Sequence, residues 1–189
     1  MTTRMVMPTD QWFSLTDVQK NLSKTDREQS QYQWLSELGS MTNRLIVAAE
    51  FPLMVKVLSS TDQDIDIEEC SFLKITESQQ AYVREVMMSI DGSSWLYGRS
   101  VIPQQTLDGQ GGGELKLLGE KPLGQLLFKN ELNSREFIEV ANITKNHHLY
   151  PHFALDGRQE NLWARRSMFI FNGSPLMVQE VFMPSFPFL

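Results

Sequence analysis

The 189-residue chain is poor in several features that define common protein classes. Its single cysteine, Cys70, excludes an internal disulfide and a metal site built from several thiolates. No apolar run approaches the roughly 20 residues that a membrane-spanning helix needs, and the N-terminal segment lacks the basic and apolar regions of a signal peptide. Positive charge is also scarce, because 17 lysines and arginines stand against 23 aspartates and glutamates. The net charge of −6 argues against a nucleic-acid or anionic-membrane partner, so we expect a soluble, cytoplasmic protein without membrane insertion.

The residues that are present suit one globular domain. Hydrophobic residues make up 41% of the chain and charged residues 21%, a balance that can fill a core in a chain of this length. We therefore expect a single domain over residues 1–189. Since no coiled-coil repeat or long apolar stripe predicts self-association, we expect a monomer.

Two turn signals predict an α+β fold with a largely antiparallel β-sheet and short helices. Asp91-Gly92 and Asn172-Gly173 each lie between apolar runs, and both dipeptides are strong signals of a β-hairpin. The predicted strands are residues 82–90 and 95–102 around the first turn, and residues 163–171 and 176–183 around the second.

Short helices are predicted at the start and in the middle of the chain. Residues 26–38 show a helical apolar stripe followed by Gly39, which is placed as a left-handed cap. Shorter helices are predicted over residues 15–22 and 122–129. The glycines at 111–113 predict a flexible loop, and they are not a phosphate-binding loop because no Gly-Lys-Ser/Thr follows.

Two arginines of the first hairpin form the first candidate site. If the turn contains two or four residues, paired positions sum to an odd number, and Arg84 and Arg99 then project from the same, largely apolar face. A guanidinium on such a face requires an anion. The anion is either an acidic side chain of a neighbouring strand, which is the more common case, or the carboxylate of a ligand. A three-residue turn would place the two arginines on opposite faces.

Glu180 of the second hairpin is the second candidate. It shares a face with apolar residues, and the same odd-sum register places Arg165 among its cross-strand neighbours. Apolar surroundings favour a raised carboxyl pKa, and hence a role in proton transfer or in binding a hydroxyl group. Alternatively, Glu180 simply forms an ion pair with Arg165. The spacing alone leaves both interpretations open.

The remaining polar motifs carry weaker signals. Pro122-Leu123-Gly124 predicts a helix start, whose unpaired N–H groups can hold a carboxylate, although every helix has such an end. The acid-rich stretch 61–69 is typical of a solvated face. His147, His148 and His152 lie in a polar segment without a helical frame, so we favour an exposed loop over a metal site. No serine or cysteine nucleophile signature is present.

Four short segments form a pattern that extends from about residue 11 to the C-terminus. In chain order they are Ser40-Met41-Thr42-Asn43-Arg44, residues 83–103, residues 118–139 and residues 162–184. In this order and spacing they closely resemble the chorismate pyruvate-lyase family, which makes 4-hydroxybenzoate for ubiquinone synthesis. The resemblance implies that the enolpyruvyl group of chorismate is lost as pyruvate while the ring becomes aromatic, with neither a metal nor a redox cofactor.

The resemblance also implies a binding site. The arginine and backbone amides of the family hold the ring carboxylate of the ligand, and the glutamate meets the ring hydroxyl. These contacts fall on Met41, Arg84, Leu123 and Glu180, and Arg84 and Glu180 are the expected catalytic residues. Arg99 matches a family arginine associated with an additional ligand position beside the buried site, and we expect it to hold the enolpyruvyl carboxylate.

The family fold closes two helical flaps over the ligand, which we expect at residues 34–41 and 115–128. The segment 142–161 looks longer than is usual in the family, but it removes none of the expected contacts.

The main alternative is a non-catalytic domain for a hydroxybenzoate-like effector, because the ligand-sensing domains of some bacterial transcription regulators resemble the same fold. An enzyme is favoured because the contact residues match the lyase, no helix-turn-helix domain precedes the sheet and the acidic charge does not suit DNA. A lyase-like protein for a related enolpyruvyl or hydroxybenzoate ligand is the third possibility.

Overall fold

The computed structural model describes residues 7–21, 25–76, 80–150 and 161–188, and the strands within them form one antiparallel sheet. The strands are β1 (Phe13–Ser14), β2 (Leu53–Asp64), β3 (Gln80–Ile90), β4 (Ser93–Pro103), β5 (Ser134–Thr144), β6 (Asn161–Phe171) and β7 (Ser174–Phe182). Their order across the sheet is β1-β5-β6-β7-β4-β3-β2, and every neighbouring pair is antiparallel. The predicted α+β fold is confirmed.

Short helices complete the described part of the fold. They are α1 (Leu15–Asn21), α2 (Asp26–Leu35), α3 (Met41–Ala48), α4 (Ile67–Leu73), α5 (Gln104–Asp108), α6 (Gly112–Lys116) and α7 (Gly124–Leu127). Helix α2 ends before the predicted residue 38, and Gly39 does not adopt a positive φ, so the predicted cap is wrong. Helices α3 and α4 are not predicted above, although Ser40 and Asp66 cap their first turns by side-chain hydrogen bonds. No helix among the described residues combines the length and apolar character needed to cross a bilayer.

The two predicted hairpins, β3–β4 and β6–β7, form the centre of the sheet. Asp91 and Gly92 have φ values of 47° and 75°, and Asn172 and Gly173 have φ values of 46° and 88°. Two successive positive φ angles define the tight turn that matches the twist of the flanking strands, and Asp-Gly and Asn-Gly tolerate this conformation best. Since β4 also pairs with β7, the two hairpins lie side by side.

A β-bulge in the first hairpin changes its register. Ser89 pairs with Ser94, whereas the next pair is Met88 with Leu96, so Trp95 is an extra residue in β4. Beyond the bulge Arg84 lies opposite Ser100, and Glu85 lies opposite Arg99. The prediction that Arg84 and Arg99 share a face is therefore wrong, because the turn has the expected two residues but the bulge reverses the faces.

Helices pack on both faces of the sheet. On one face, α2 and α3 contribute Trp34 and Leu45 to an apolar cluster, and α6 and α7 contribute Leu115 and Leu127 to a second cluster. On the opposite face, α4 contributes Cys70 to a third. The space between the first two clusters forms the candidate site.

The glycines at 111–113 are not the predicted flexible loop. Gly111 has a φ of 78°, and helix α6 begins at the next residue, Gly112. A Cβ atom at Gly112 would lie 2.0 Å from the carbonyl oxygen of Leu107 in α5. Glycine is therefore required at this position because it permits close contact between α5 and α6.

Replacing Gly112 by alanine is expected to destabilise the protein, since the backbone of α5 must move to accept a methyl group. We expect the Gly112→Ala free energy of unfolding to fall by about 2–3 kcal/mol. Gly113→Ala is the matched control, because a Cβ there meets nothing within 4 Å. Urea denaturation of both variants measures the difference, and equal stabilities would contradict the described helix contact.

Candidate active site

A cavity lies on one face of the sheet, beneath the starts of helices α3 and α7. Met41, Arg84, Leu123 and Glu180 all line it, so the structure brings together four predicted contact residues from distant parts of the sequence. Apolar side chains supply walls, and the small residues of β4 leave space over the sheet. These further lining residues include Val86, Met88, Leu127, Phe169, Gly98 and Ser100.

Arg84 extends from β3 into the cavity and is 3% exposed. Its Nη2 atom donates hydrogen bonds to the carbonyl oxygens of Gly119 (2.7 Å) and Lys121 (3.0 Å), in the turn that leads to α7. Its Nε atom is buried and has no hydrogen-bond partner among the described residues. Burial lowers the pKa of this guanidinium, because the charged form is desolvated. Arg84 therefore has donor capacity left for an anion.

Glu180 and Arg165 face each other across β7 and β6, as the odd-sum register predicts. The Nε atom of Arg165 donates a hydrogen bond to a carboxylate oxygen of Glu180, and its Nη1 atom donates to the carbonyl oxygen of Glu37 at 2.9 Å. Arg165 is completely buried, whereas Glu180 also lines the cavity. The predicted ion pair is therefore confirmed, and the carboxylate also lines the cavity, whereas its role in proton transfer stays a prediction.

The starts of helices α3 and α7 meet above the sheet. A Cβ atom at Gly124 would lie 2.9 Å from the Ser40 Oγ atom, so glycine allows the two helix starts to lie close together. The amide N–H groups of Met41 and Leu123 make no backbone hydrogen bond within the described ranges. First-turn N–H groups are donors that suit a carboxylate, and two helix starts bring such donors to the same cavity.

Arg135 also lines the cavity, although none of the sequence signals predicts it. Its Nη1 atom donates to the carbonyl oxygens of Glu37 (2.9 Å) and Leu38 (2.8 Å), and its guanidinium lies 4.6 Å from the ring centre of Phe169. Burial, together with the positive charge of Arg165, lowers the pKa of Arg135 to about 10. The guanidinium therefore remains charged at neutral pH.

A second β-bulge explains why Arg135 is not predicted. Arg135 pairs with Phe169, whereas the next pair is Phe137 with Met168, so Glu136 is an extra residue in β5. Strict alternation from Ile138 would assign Glu136, not Arg135, to the cavity face. A bulge with neither glycine nor proline leaves no clear signal in a single sequence.

Arg99 lies on the opposite face of the sheet, between two acids. Its Nη1 atom donates to Glu69 at 2.5 Å, and its Nε atom lies 3.6 Å from a carboxylate oxygen of Glu85. Glu69 is 2% exposed, so residues 61–69 are not uniformly a solvated face, and burial raises the pKa of its carboxyl group. Arg99 does not line the cavity, so the prediction that it contacts a ligand there is not supported by its position.

The histidine segment is only partly the predicted exposed loop. His147 is buried and its Nδ1 atom accepts a hydrogen bond from the Leu149 amide at 3.2 Å, whereas His148 is exposed and stacks on it with 4.6 Å between ring centres. His152 lies outside the described residues. Glu68 lies close enough to complete a three-ligand group, but it is paired with Arg166 at 2.7 Å. The preference for a loop without a metal site therefore stays a prediction.

Comparison with known sequences identifies one family across nearly the whole chain. Residues 12–188 match the family described as chorismate lyase. A probable chorismate pyruvate-lyase from Coxiella burnetii is 35% identical over 153 residues, which cover 80% of this chain and 82% of that protein. A chorismate pyruvate-lyase from Yersinia enterocolitica is 37% identical over 158 residues, which cover 82% of this chain and 81% of that protein.

Two solved structures with a similar fold belong to transcription regulators. A GntR-family regulator from Bacillus cereus has a TM-score of 0.55 and 15% identity, covering 72% of this chain and 96% of that chain. The effector domain of PhnF from Mycobacterium smegmatis has a TM-score of 0.53 and 14% identity, covering 78% of this chain and 90% of that chain. At such low identity the likeness concerns the fold alone.

Removing Arg165 is expected to destabilise the protein strongly. Arg165→Met leaves the Glu180 carboxylate without the guanidinium that donates a hydrogen bond to it, which should lower the free energy of unfolding by about 3–5 kcal/mol. The double variant Arg165→Met/Glu180→Gln removes the uncompensated charge and should recover part of that loss. Urea denaturation at neutral pH measures both variants. A double variant less stable than Arg165→Met would argue against a stabilising ion pair.

Proposed function

The chain belongs to the chorismate lyase family and is a lyase, and we propose that it converts chorismate to 4-hydroxybenzoate and pyruvate. The observation that carries the proposal is the meeting of Met41, Arg84, Leu123 and Glu180 at one cavity. These positions come from α3, β3, the start of α7 and β7, so no single local motif produces the set. They combine donors for a carboxylate with an acceptor for a hydroxyl group.

The spacing of Arg84 and Glu180 suits a ring with polar groups at opposite ends. Strand β4 lies between their strands, and Arg84 lies opposite Ser100 whereas Glu180 lies opposite Gly98. Two inter-strand steps and two residues along the strands separate the Cα atoms by roughly 12 Å. A hydroxybenzoate ring with a hydrogen bond at each end spans a similar length. Gly98, which has no side chain, leaves space for the ring.

In the proposed complex, Arg84 binds the ring carboxylate and the amides of Met41 and Leu123 assist it. At the other end Glu180 accepts a hydrogen bond from the hydroxyl group at C4. Because Arg165 donates to Glu180, the carboxylate stays oriented and does not turn away towards solvent. The protein thus contributes positioning and charge stabilisation in a site of low water content.

The proposed reaction breaks the C3–O ether bond and the C4–H bond of chorismate. The electron pair of the C4–H bond forms the last double bond of the aromatic ring, and the C3–O pair leaves with the enolpyruvyl oxygen. The released proton completes pyruvate when the enol tautomerises. Aromatisation drives the reaction, so the proposed chemistry requires neither a metal nor a redox cofactor.

Ligand binding requires the walls of the cavity to move. The free space is about 40 Å³, whereas a cavity of about 150 Å³ accommodates benzene in a protein core. We propose that the segments at the starts of α3 and α7 move outward to admit the substrate, as the predicted flaps would.

We also propose that the protein acts as a cytoplasmic monomer, as one domain over residues 1–189, and that its product supports ubiquinone synthesis.

The test of the function is to incubate the purified protein with chorismate and to quantify 4-hydroxybenzoate and pyruvate by chromatography. We expect both products in equal amounts. If the protein does not turn over chorismate but binds 4-hydroxybenzoate tightly, the proposal is overturned in favour of a sensor. If it shows neither turnover nor binding, its similarity to the lyases is limited to the fold. Isochorismate and substituted benzoates, assayed in parallel, distinguish a lyase for a related ligand.

Arg84→Gln is expected to weaken 4-hydroxybenzoate binding strongly, because it removes the charged partner of the ring carboxylate. The loss of a buried guanidinium–carboxylate contact corresponds to about 2–5 kcal/mol of binding free energy. Arg27→Gln, at an exposed position of α2, is the control and should bind as the parent does. Calorimetric titration measures both variants. If Arg84→Gln binds 4-hydroxybenzoate as tightly as the parent does, Arg84 does not bind the ring carboxylate.

Glu180→Gln tests the role of the carboxylate with little change in shape. If Glu180 takes part in proton transfer, kcat should fall by about 10²-fold or more, whereas KM should change much less. Steady-state assays with chorismate give both constants. A parent-like kcat would show that Glu180 has no proton role and only contacts the hydroxyl group.

A further inference from the structure

The cavity contains two guanidinium groups without an acidic partner. Arg84 and Arg135 both line it, and neither forms an ion pair within the described ranges. Their observed hydrogen bonds go to backbone carbonyl groups, which carry no net charge. The two nearby acids are already paired, Glu180 with Arg165 and Glu37 with Arg44. The site thus has two uncompensated positive charges.

The position of Arg135 matches the end of the cavity at which Glu180 lies. Arg135 and Arg165 each donate from Nη1 to the same carbonyl oxygen of Glu37, both at 2.9 Å, so the two guanidinium groups lie side by side. Arg165 in turn contacts Glu180. The Nε atom of Arg135 is buried and has no hydrogen-bond partner among the described residues, so one of its donors is left for a ligand.

We propose that Arg135 binds the second carboxylate of the substrate, on the enolpyruvyl side chain, so that the cavity accepts a dianion. This inference rests on the proposed function. In chorismate the enolpyruvyl ether at C3 is next to the C4 hydroxyl, so a hydroxyl held by Glu180 places the side chain near Arg135. Two carboxylates then match two unpaired guanidinium groups, Arg84 at one end and Arg135 at the other.

The inference reassigns a role that the sequence resemblance gives to Arg99. Arg99 lies on the opposite face of the sheet and is occupied by Glu69 and Glu85. Arg135, by contrast, lines the cavity that contains Glu180. The proposed role of Arg135 also distinguishes the substrate from the product. 4-Hydroxybenzoate retains the carboxylate that binds Arg84, whereas the carboxylate that binds Arg135 leaves with pyruvate.

The test compares three stable ligands by calorimetry. These are 3-(carboxymethoxy)-4-hydroxybenzoate as the dianion, 3-ethoxy-4-hydroxybenzoate as a monoanion with a side chain of similar size, and 4-hydroxybenzoate. The parent protein should bind the dianion more tightly than the ethoxy compound. Arg135→Gln should weaken dianion binding by about 30-fold or more while changing the affinity for both monoanions less than about 3-fold. Arg135→Lys, which keeps the charge, should retain part of the preference.

Arg135 also holds the segment before α3 through three carbonyl groups, and this purely structural role makes a different prediction. Equal weakening of all three ligands in Arg135→Gln would overturn the inference, and so would a parent protein that shows no preference for the dianion. The parent preference is measured without any variant, so the test stands even if Arg135→Gln does not fold. Chorismate turnover by the parent, assayed separately, distinguishes failure of this inference from failure of the proposed function.

Discussion

The ion pair between Arg165 and Glu180 links the centre of the sheet to the helices that cover the cavity. Arg165 is completely buried, and removing two charges from water costs several kcal/mol for each ion unless short contacts and hydrogen bonds compensate. Here the guanidinium donates both to the Glu180 carboxylate and to the Glu37 carbonyl oxygen before α3. The same contact therefore orients the acid of the candidate site and positions part of its cover.

Two other arginines on this face of the sheet also donate hydrogen bonds to the segments that cover the cavity. Arg84 holds the carbonyl groups of the turn before α7, and Arg135 holds those of the segment before α3. A guanidinium has five N–H donors in a planar fork, so it can bind a backbone carbonyl and a ligand carboxylate together. Residues on the sheet thereby place two helix starts over the cavity. In the proposed enzyme, the arginines that bind the substrate carboxylates therefore also hold the segments that cover the cavity.

Much of the fold follows from local sequence signals, because tight turns are governed by a few residues. Asn172-Gly173 fixes a two-residue turn, and the register that it imposes places Arg165 opposite Glu180. Asp91-Gly92 fixes an equally short turn, but the bulge at Trp95 reverses the faces and separates Arg99 from Arg84. A bulge is stabilised by tertiary packing, and a single sequence gives little indication of it.

Some residues of the candidate site can likewise be predicted from the sequence, and others cannot. Arg84 and Glu180 can be proposed from hairpin geometry, and the helix start at Leu123 follows from Pro122, whereas Met41 depends on the family resemblance. Strand alternation and helix periodicity do not predict the positions of Arg135 and the buried Glu69, because both depend on contacts that are distant in the sequence. Arg135 contacts Glu37, 98 residues away, and Glu69 contacts Arg99, 30 residues away. Charged residues in such positions look solvated in the sequence, and only the assembled fold shows which acids, carbonyl groups and cavities they face.

The most direct test of this account is a crystal structure of the protein with 4-hydroxybenzoate. The account predicts one ligand between α3, α7 and the sheet, with its carboxylate on Arg84 and the amides of Met41 and Leu123, and its hydroxyl group on Glu180. A ligand bound on the Arg99 face, or with its carboxylate at Glu180 and its hydroxyl group at Arg84, would contradict the proposed site.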